Sequence, residues 1–375
     1  MKDGSKVFSG VRMSRRGFCV AGSAAVASLA GIGVSGAQTA PALQTVKMAL
    51  SNSVMTVIYP YVTNAQAFGF FRQEGVKDEV VMGQGSSQVL SLLVAGTVDM
   101  VFCNPEPVMQ LVTERSSKIK SVYKLNEGQY ILAAPAGSPI QSVKDLKGKR
   151  LGMFGPQSGI DYLKARLFDA GLTVDDITIV PTAFGGQTIV AIRQKQVDAI
   201  LYWPDAVLML RNAGLDLREL PKADWEEGLY IAVVATTDEA IRTKPDAIAR
   251  ALRAMAQGQM MSVASPEKTV EAFWRQYPDQ APKPTDRDKA FRESLARVNW
   301  QNQLNRTKDL NGEQLRSYQW GVQSDEIWSR LQNNLARVGG LSKKLEAQSF
   351  FDSRFTQAAN QFDRAKVIAL AEAQK

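Results

Sequence analysis

Two acids stand in the same chemical setting 99 positions apart: Glu106 follows Pro105, Asp205 follows Pro204, and each closes a short apolar run. Paired carboxylates facing one another could hydrolyse a glycosidic bond, one donating a proton while the other attacks or activates water. Neither acid has a basic residue beside it in sequence to set its ionisation, so hydrolysis is set aside for recognition. The chain contains no histidine. That removes Ser-His-Asp and Cys-His nucleophiles and the commonest metal ligand sets in one step. With only Cys19 and Cys103 besides, a zinc site lacks its usual donors. No glycine loop ends in Gly-Lys-Ser or Gly-Lys-Thr, which excludes a nucleotide-driven motor.

Gly83-Gln84-Gly85-Ser86-Ser87-Gln88 follows an apolar run and opens a helical pattern, as a dinucleotide fingerprint does. Its third glycine is replaced by Gln88, whose side chain would obstruct close helix packing, and no acid follows about twenty residues on in the strand-end role. No cofactor is expected from it. An exported nicotinamide- or flavin-dependent oxidoreductase is kept as the alternative function.

The elements that must carry these residues come in two copies. Residues 79–106 are echoed 99 positions on, with Val81, Gln88, Val98, Asp99 and Pro105 matching Val180, Gln187, Val197, Asp198 and Pro204. Each copy reads strand, small-residue turn, helix, strand, the order of a parallel α/β unit. The turn and helix N-terminus then lie at one end of the sheet, where ligands bind. Asp99 and Asp198 precede strands and are read as structural.

Ser14-Arg15-Arg16-Gly17-Phe18, behind Lys2, Lys6 and Arg12 and ahead of a mild apolar stretch from Cys19 to Val34, resembles a twin-arginine export signal. Small residues at Ser35-Gly36-Ala37 offer a cleavage site, which predicts a signal peptide over 1–37 and a periplasmic mature protein. Residues 1–37 hold five basic residues and one acid, so the formal charge of +8 falls to +4. That is too weak and scattered for nucleic acid. Only Cys103 remains, which rules out an internal disulfide and suits a buried small hydrophobe.

Four segments in this order, Ala67-Phe68-Gly69-Phe70-Phe71-Arg72-Gln73-Glu74-Gly75, Ala95-Gly96-Thr97-Val98-Asp99, Ser142 to Arg150 and Gln196-Val197-Asp198-Ala199, resemble the solute-binding proteins of ABC importers for nitrate, sulfonates and taurine. These are related to thiamine-pyrimidine-precursor (NMT1/THI5-like) proteins, and the resemblance covers 46 to about 275. It implies an α/β, two-lobed periplasmic-binding-protein fold of type II: two parallel-rich sheets joined by two hinge strands, closing on solute, with a helical C-terminal extension. Lobe one would hold 38–132 and 235–375, and lobe two 133–234, with crossings expected at 133–141 and 230–235. Helices are expected at 247–263, 266–274, 287–298 and 311–335. The family's pyrimidine-making enzymes consume a histidine, a route closed here, so binding without turnover is implied. The partners would be a small organic solute (sulfonate, amine-bearing or pyrimidine-like) and an inner-membrane ABC permease, with the chain acting as a monomer.

In that design the sheet-end loops point at the solute. They supply Asn52, Tyr59, Ser86, Ser87, Asn104 and Glu106 from lobe one, and Gln157, Ser158, Phe184, Gly185, Trp203 and Asp205 from lobe two. Helices beginning at Ser87, Ser158 or Gly186 would aim free N–H groups inward, an anion site without lysine or arginine. Ser87 and Ser158 could equally cap their own helices. Tyr59, Phe184 and Trp203 suit a flat solute body, or else core packing. If Glu106 and Asp205 point inward, the solute should carry hydrogen-bond donors. If outward, they suit the permease.

Overall fold

The structure, a computed structural model, describes residues 43–154, 159–183, 185–310 and 312–373. The export signal expected over 1–37 lies outside them. Lobe one begins with β1 (Gln44–Leu50), α1 (Pro60–Ala67), α2 (Phe70–Gln73), β2 (Val76–Met82), α3 (Ser86–Val94), β3 (Met100–Cys103), α4 (Pro105–Arg115) and β4 (Ile119–Glu127). Lobe two follows with β5 (Ile131–Pro135), β6 (Arg150–Met153), α5 (Ile160–Asp169), β7 (Thr178–Pro181), α6 (Gly186–Arg193), β8 (Ala199–Tyr202), α7 (Pro204–Asn212) and β9 (Leu217–Glu219). The chain then returns through β10 (Tyr230–Thr237), α8 (Asp238–Thr243), α9 (Pro245–Ala264), α10 (Pro266–Gln276), α11 (Arg287–Leu304), α12 (Gly312–Ser317), α13 (Asp325–Arg337), α14 (Arg354–Ala359) and α15 (Arg364–Glu372). None of these helices is long and apolar enough to cross a membrane.

The two sheets share one topology, β2-β1-β3-β10-β4 and β7-β6-β8-β5-β9. In each, the second strand of the order, β1 or β6, pairs in parallel with both neighbours, and the strand laid down after a change of lobe, β10 or β5, runs antiparallel to both of its own. The 99-residue echo is this shared topology: β3 and β8 coincide across the offset, as do the starts of α4 and α7. Both central strands are buried along their whole length, which is why they read as unbroken apolar runs. Separate apolar layers cover the two faces of each sheet.

Three features differ from the sequence reading. The first crossing lies at 128–130 rather than 133–141, because Ile131, Leu132 and Ala133 already pair with Tyr202, Leu201 and Ile200 of sheet two. Pro135 ends that strand instead of preceding it. The return runs through 220–229, so Tyr230 to Val234 belong to sheet one. Second, β4 was not expected: its Lys120, Ser121, Lys124 and Asn126 hide the strand pattern. C-terminal segments satisfy Lys120, Ser121 and Asn126, as in the 2.6 Å bond from Ser121 Oγ to Gln323 Oε1, while Lys124 pairs with Glu127 of the same strand. Third, the helix expected over 311–335 is two helices, α12 and α13. Trp320 is buried between them, its backbone N–H donating to Asn360 Oδ1 at 2.9 Å. Gly321 follows at φ +76°, where a Cβ would meet the Tyr123 ring. Residue 311 itself is outside the described chain.

Candidate functional site

The carboxyl ends of the parallel strands of both sheets open on one cleft of about 840 Å³, within the size range of small-molecule sites. Asn52, Tyr59, Ser86, Ser87, Asn104 and Glu106 line it from lobe one, and Trp203 and Asp205 from lobe two. Gly185 is not part of the wall. It precedes α6 at φ +87°, a backbone position that favours glycine. Gln157, Ser158 and Phe184 lie outside the described residues.

Several of the polar side chains are spoken for. Asn104 Nδ2 donates to Ile231 O at 2.8 Å, tying the end of β3 to β10, while the Ser86 hydroxyl donates to Asn104 Oδ1 at 2.8 Å and accepts from Asn104 N at 3.0 Å. Ser86 and Asn104 therefore shape the wall more than they offer free groups. Helix α3 starts at Ser86, one residue earlier than expected, so Ser87 lies inside its first turn and caps nothing. Likewise α5 starts at Ile160 behind Gly159 rather than at Ser158. The glycine turn is closed by its own chain. Gln88 Oε1 accepts from the Gln84 N–H, and Gly83 N donates to Leu50 O at 2.7 Å. Those N–H groups are then unavailable to a pyrophosphate.

The matched acids enter the cleft by the same device. Asn104 and Trp203 stand before their helices in nearly identical extended conformations, φ −70° ψ 152° and φ −71° ψ 156°, and Pro105 and Pro204 occupy the first helical position. Proline lacks only an N–H that is unpaired there anyway, and an acid in the first turn meets the positive helix end. Their electrostatics then diverge. Asp205 is buried and forms a two-pronged ion pair with Arg297 of α11, Nε to Oδ1 at 2.5 Å and Nη2 to Oδ2 at 2.8 Å. Asp205 has no basic neighbour in sequence, and its cationic partner lies 92 residues on. Glu106 has no ion pair among the described residues. Burial, and then the nearby Asp161, push its carboxyl up to about 8, so it carries its proton at neutral pH.

The sequence reading missed much of the wall. Asp161 lies in the first turn of α5, accepts from Gln110 Nε2 across the lobes at 3.0 Å and is itself pushed up, chiefly by burial. Tyr130 on the crossing packs 6.0 Å from Tyr162, and Phe154 meets Trp203 edge-on at 5.4 Å. Tyr61 stacks on Phe102 at 5.4 Å behind Tyr59. Tyr59 accepts from Asn52 Nδ2 at 2.8 Å, and burial pushes its phenol up to about 12. Gln301 and Leu304 reach the cleft from α11. Strand-end position could have flagged Phe154 and Asp161; no local signal marks Gln301 or Leu304.

No Lys, Arg or His side chain is among the described residues lining the cleft, whereas four acids are: Glu106, Glu127, Asp161 and Asp205. Three of them already hold cations set back from the cavity. Besides Arg297, Lys124 lies 2.9 Å from Glu127 and Lys164 lies 3.7 Å from Asp161. The result is a ring-lined cavity with acceptors, a protonated acid and no free positive charge. Among the described residues no cluster of three potential ligand side chains could hold a metal ion.

Comparison with known proteins adds a family match, a curated relative and two solved structures. The family described as NMT1/THI5 like matches residues 56–269. The riboflavin-binding protein RibY of Chloroflexus aurantiacus is 26% identical over 322 residues, covering 84% of this chain and 87% of that one. Among solved structures, a Bordetella bronchiseptica RB50 protein superposes with a TM-score of 0.65 at 17% identity, over 84% of this chain and 97% of its own. The alkanesulfonate-binding protein SsuA from Xanthomonas axonopodis pv. citri, bound to MOPS, superposes with a TM-score of 0.60 at 17% identity, over 83% and 99%. At such identities the solved structures speak to the fold, which is that of periplasmic binding proteins.

Proposed function

The chain belongs to the NMT1/THI5-like family, and from that premise we propose that it is an exported solute-binding protein of an ABC importer, holding an uncharged or cationic ring-bearing solute between its lobes and handing it to a permease. The observation that carries this reading is the charge of the cleft. With Glu106 protonated and the other three acids each paired with a cation, the cleft offers a sulfonate no free positive charge to replace the water it would leave. Every cation set behind the wall is engaged by an acid of this chain, and residues 155–158 and 184 are Gly, Pro, Gln, Ser and Phe. Amino or ring N–H donors instead find acceptors at Asp161 and Glu106, and the protonated Glu106 can donate to a ring carbonyl or nitrogen.

The rings of Tyr59, Phe154 and Trp203 suit a flat body held by stacking. The riboflavin named for the Chloroflexus relative has that chemistry: a flat, uncharged ring system with N–H and hydroxyl donors. Export to the periplasm through Arg15 and Arg16 and delivery to an inner-membrane permease complete the reading. The lack of histidine in the sequence supports binding without turnover.

Thermal-shift and calorimetric titration with riboflavin, riboflavin 5′-phosphate, thiamine, MOPS and taurine would test it. A solute that binds only the folded form raises the melting temperature by mass action. Stabilisation by riboflavin or thiamine and none by the phosphate or sulfonates is expected. Stabilisation by MOPS or taurine alone would overturn the solute class, and silence across the whole panel would overturn solute binding itself.

A further inference from the structure

The cleft has a wall that the family match does not reach: α11 begins at Arg287, past the matched residues 56–269. One side of this helix is fastened to lobe one. Leu295 and Val298 pack into its core, Asn302 Nδ2 donates to Ser262 O of α9 at 2.9 Å, and just past the helix Asn305 Oδ1 accepts from Glu127 N at 2.9 Å where the chain leaves for lobe two. The other side faces lobe two. Trp300 packs against the layer formed by Tyr202, Ala206 and Leu210, and Arg297 grips Asp205. Arg297, Gln301 and Leu304 recur at four- and seven-residue spacing, which puts them on one stripe of the helix. Two of them line the cleft and the third holds its far wall. Arg297 stands eight residues before Asn305, about 12 Å along the helix axis, so α11 is an arm reaching from the crossing to the opposite lobe.

We propose that α11 is a strap of the solute site: it keeps the lobes closed through the Arg297–Asp205 pair and sets Gln301 and Leu304 against the solute, so that the pair must break for the cleft to open. Arg297 is a positioning residue, acting through Asp205. Both partners of the pair are largely withdrawn from water, with 15% and 7% of their side chains exposed, so solvent screens it little. The proposal takes the cleft as the solute site, and its test uses no solute, so it can fail while solute binding stands.

Spin labels at Val94→Cys on α3 and Val190→Cys on α6, both exposed positions, report the distance between lobes by double electron–electron resonance. The remaining Cys103 is buried and stays unlabelled. The mature chain, Arg297→Ala, Asp205→Asn and the double variant are compared without added solute, with circular dichroism to verify folding. A longer, broader distance distribution in Arg297→Ala is expected, the same one in Asp205→Asn, and no further shift when the two are combined. Should Asp205→Asn fail to fold, Arg297→Ala decides alone. Distributions identical to the parent in folded variants would overturn the strap.

Discussion

Asp99 and Asp198, 99 residues apart, perform the same task in the two lobes. Asp99 accepts from Lys47 N at 2.9 Å while its own N–H donates to Lys47 O at 2.8 Å; Asp198 accepts from Arg150 N at 2.8 Å and donates to Arg150 O at 2.8 Å. Each ties the residue before β3 or β8 to the neighbouring parallel strand, at the middle of β1 in lobe one and at the start of β6 in lobe two. The reading of both acids as structural thus has a physical content.

Asp198 also takes both prongs of the Arg150 guanidinium, which with the backbone bond holds its carboxyl below the usual range. Asp198→Ala is expected to cost about 1–2 kcal/mol at pH 7. A lowered acid contributes stability that is present above its unfolded pKa and is lost as pH falls through the lowered folded value. The deficit of the variant should therefore shrink below about pH 4, as denaturant unfolding at pH 7, 5 and 3 would reveal. A deficit constant with pH would mean the ionised carboxylate contributes nothing.

Glu106 should behave in the opposite sense. Its folded value of about 8 stands above the ordinary 4.5, so the stability linked to its proton is complete below 4.5 and is lost as pH rises through 8. Glu106→Gln cannot ionise and escapes that loss. The stability of the variant relative to the parent should rise by about 1–2 kcal/mol between pH 5 and 9, less than the full shift implies because the side chain meets cleft water. Denaturant titrations across that range measure it; no trend would place Glu106 in ordinary solvent.

Trp203 touches the cleft on one side and Phe154 on the other, the rings edge-on at 5.4 Å. If it stacks on the solute, Trp203→Ala weakens binding by about 1–3 kcal/mol, a magnitude typical of base–ring stacking. Calorimetry with the best-binding solute of the panel gives the number. Unchanged affinity with a lower melting temperature would make Trp203 a core residue only.

Gly258 lets α9 touch α1 backbone to backbone: a Cβ there would lie 2.5 Å from Pro60 O and 3.1 Å from Ala65 N. Gly258→Ala forces those helices apart and is expected to destabilise the fold by about 1–3 kcal/mol, despite alanine's better helix propensity. Thermal and denaturant unfolding would detect it, and a neutral result would show that the contact yields freely.

What local sequence decided was considerable. The duplicated strand-turn-helix-strand pattern, the buried runs of β3 and β8 and the Pro-acid helix starts follow from period, turn chemistry and capping, which are properties of neighbouring residues. The absence of histidine narrowed the chemistry without any coordinates. Tertiary structure decided the rest: that the chain changes sheets at 128–130, that polar β4 is a covered strand, that the helix expected over 311–335 is interrupted around Trp320 and Gly321, and that Asp205 is neutralised by Arg297 while Glu106 keeps its proton. Each of these depends on partners tens to hundreds of residues away. A residue's periodicity records which way it faces, but not which distant charge or ring is brought to meet it.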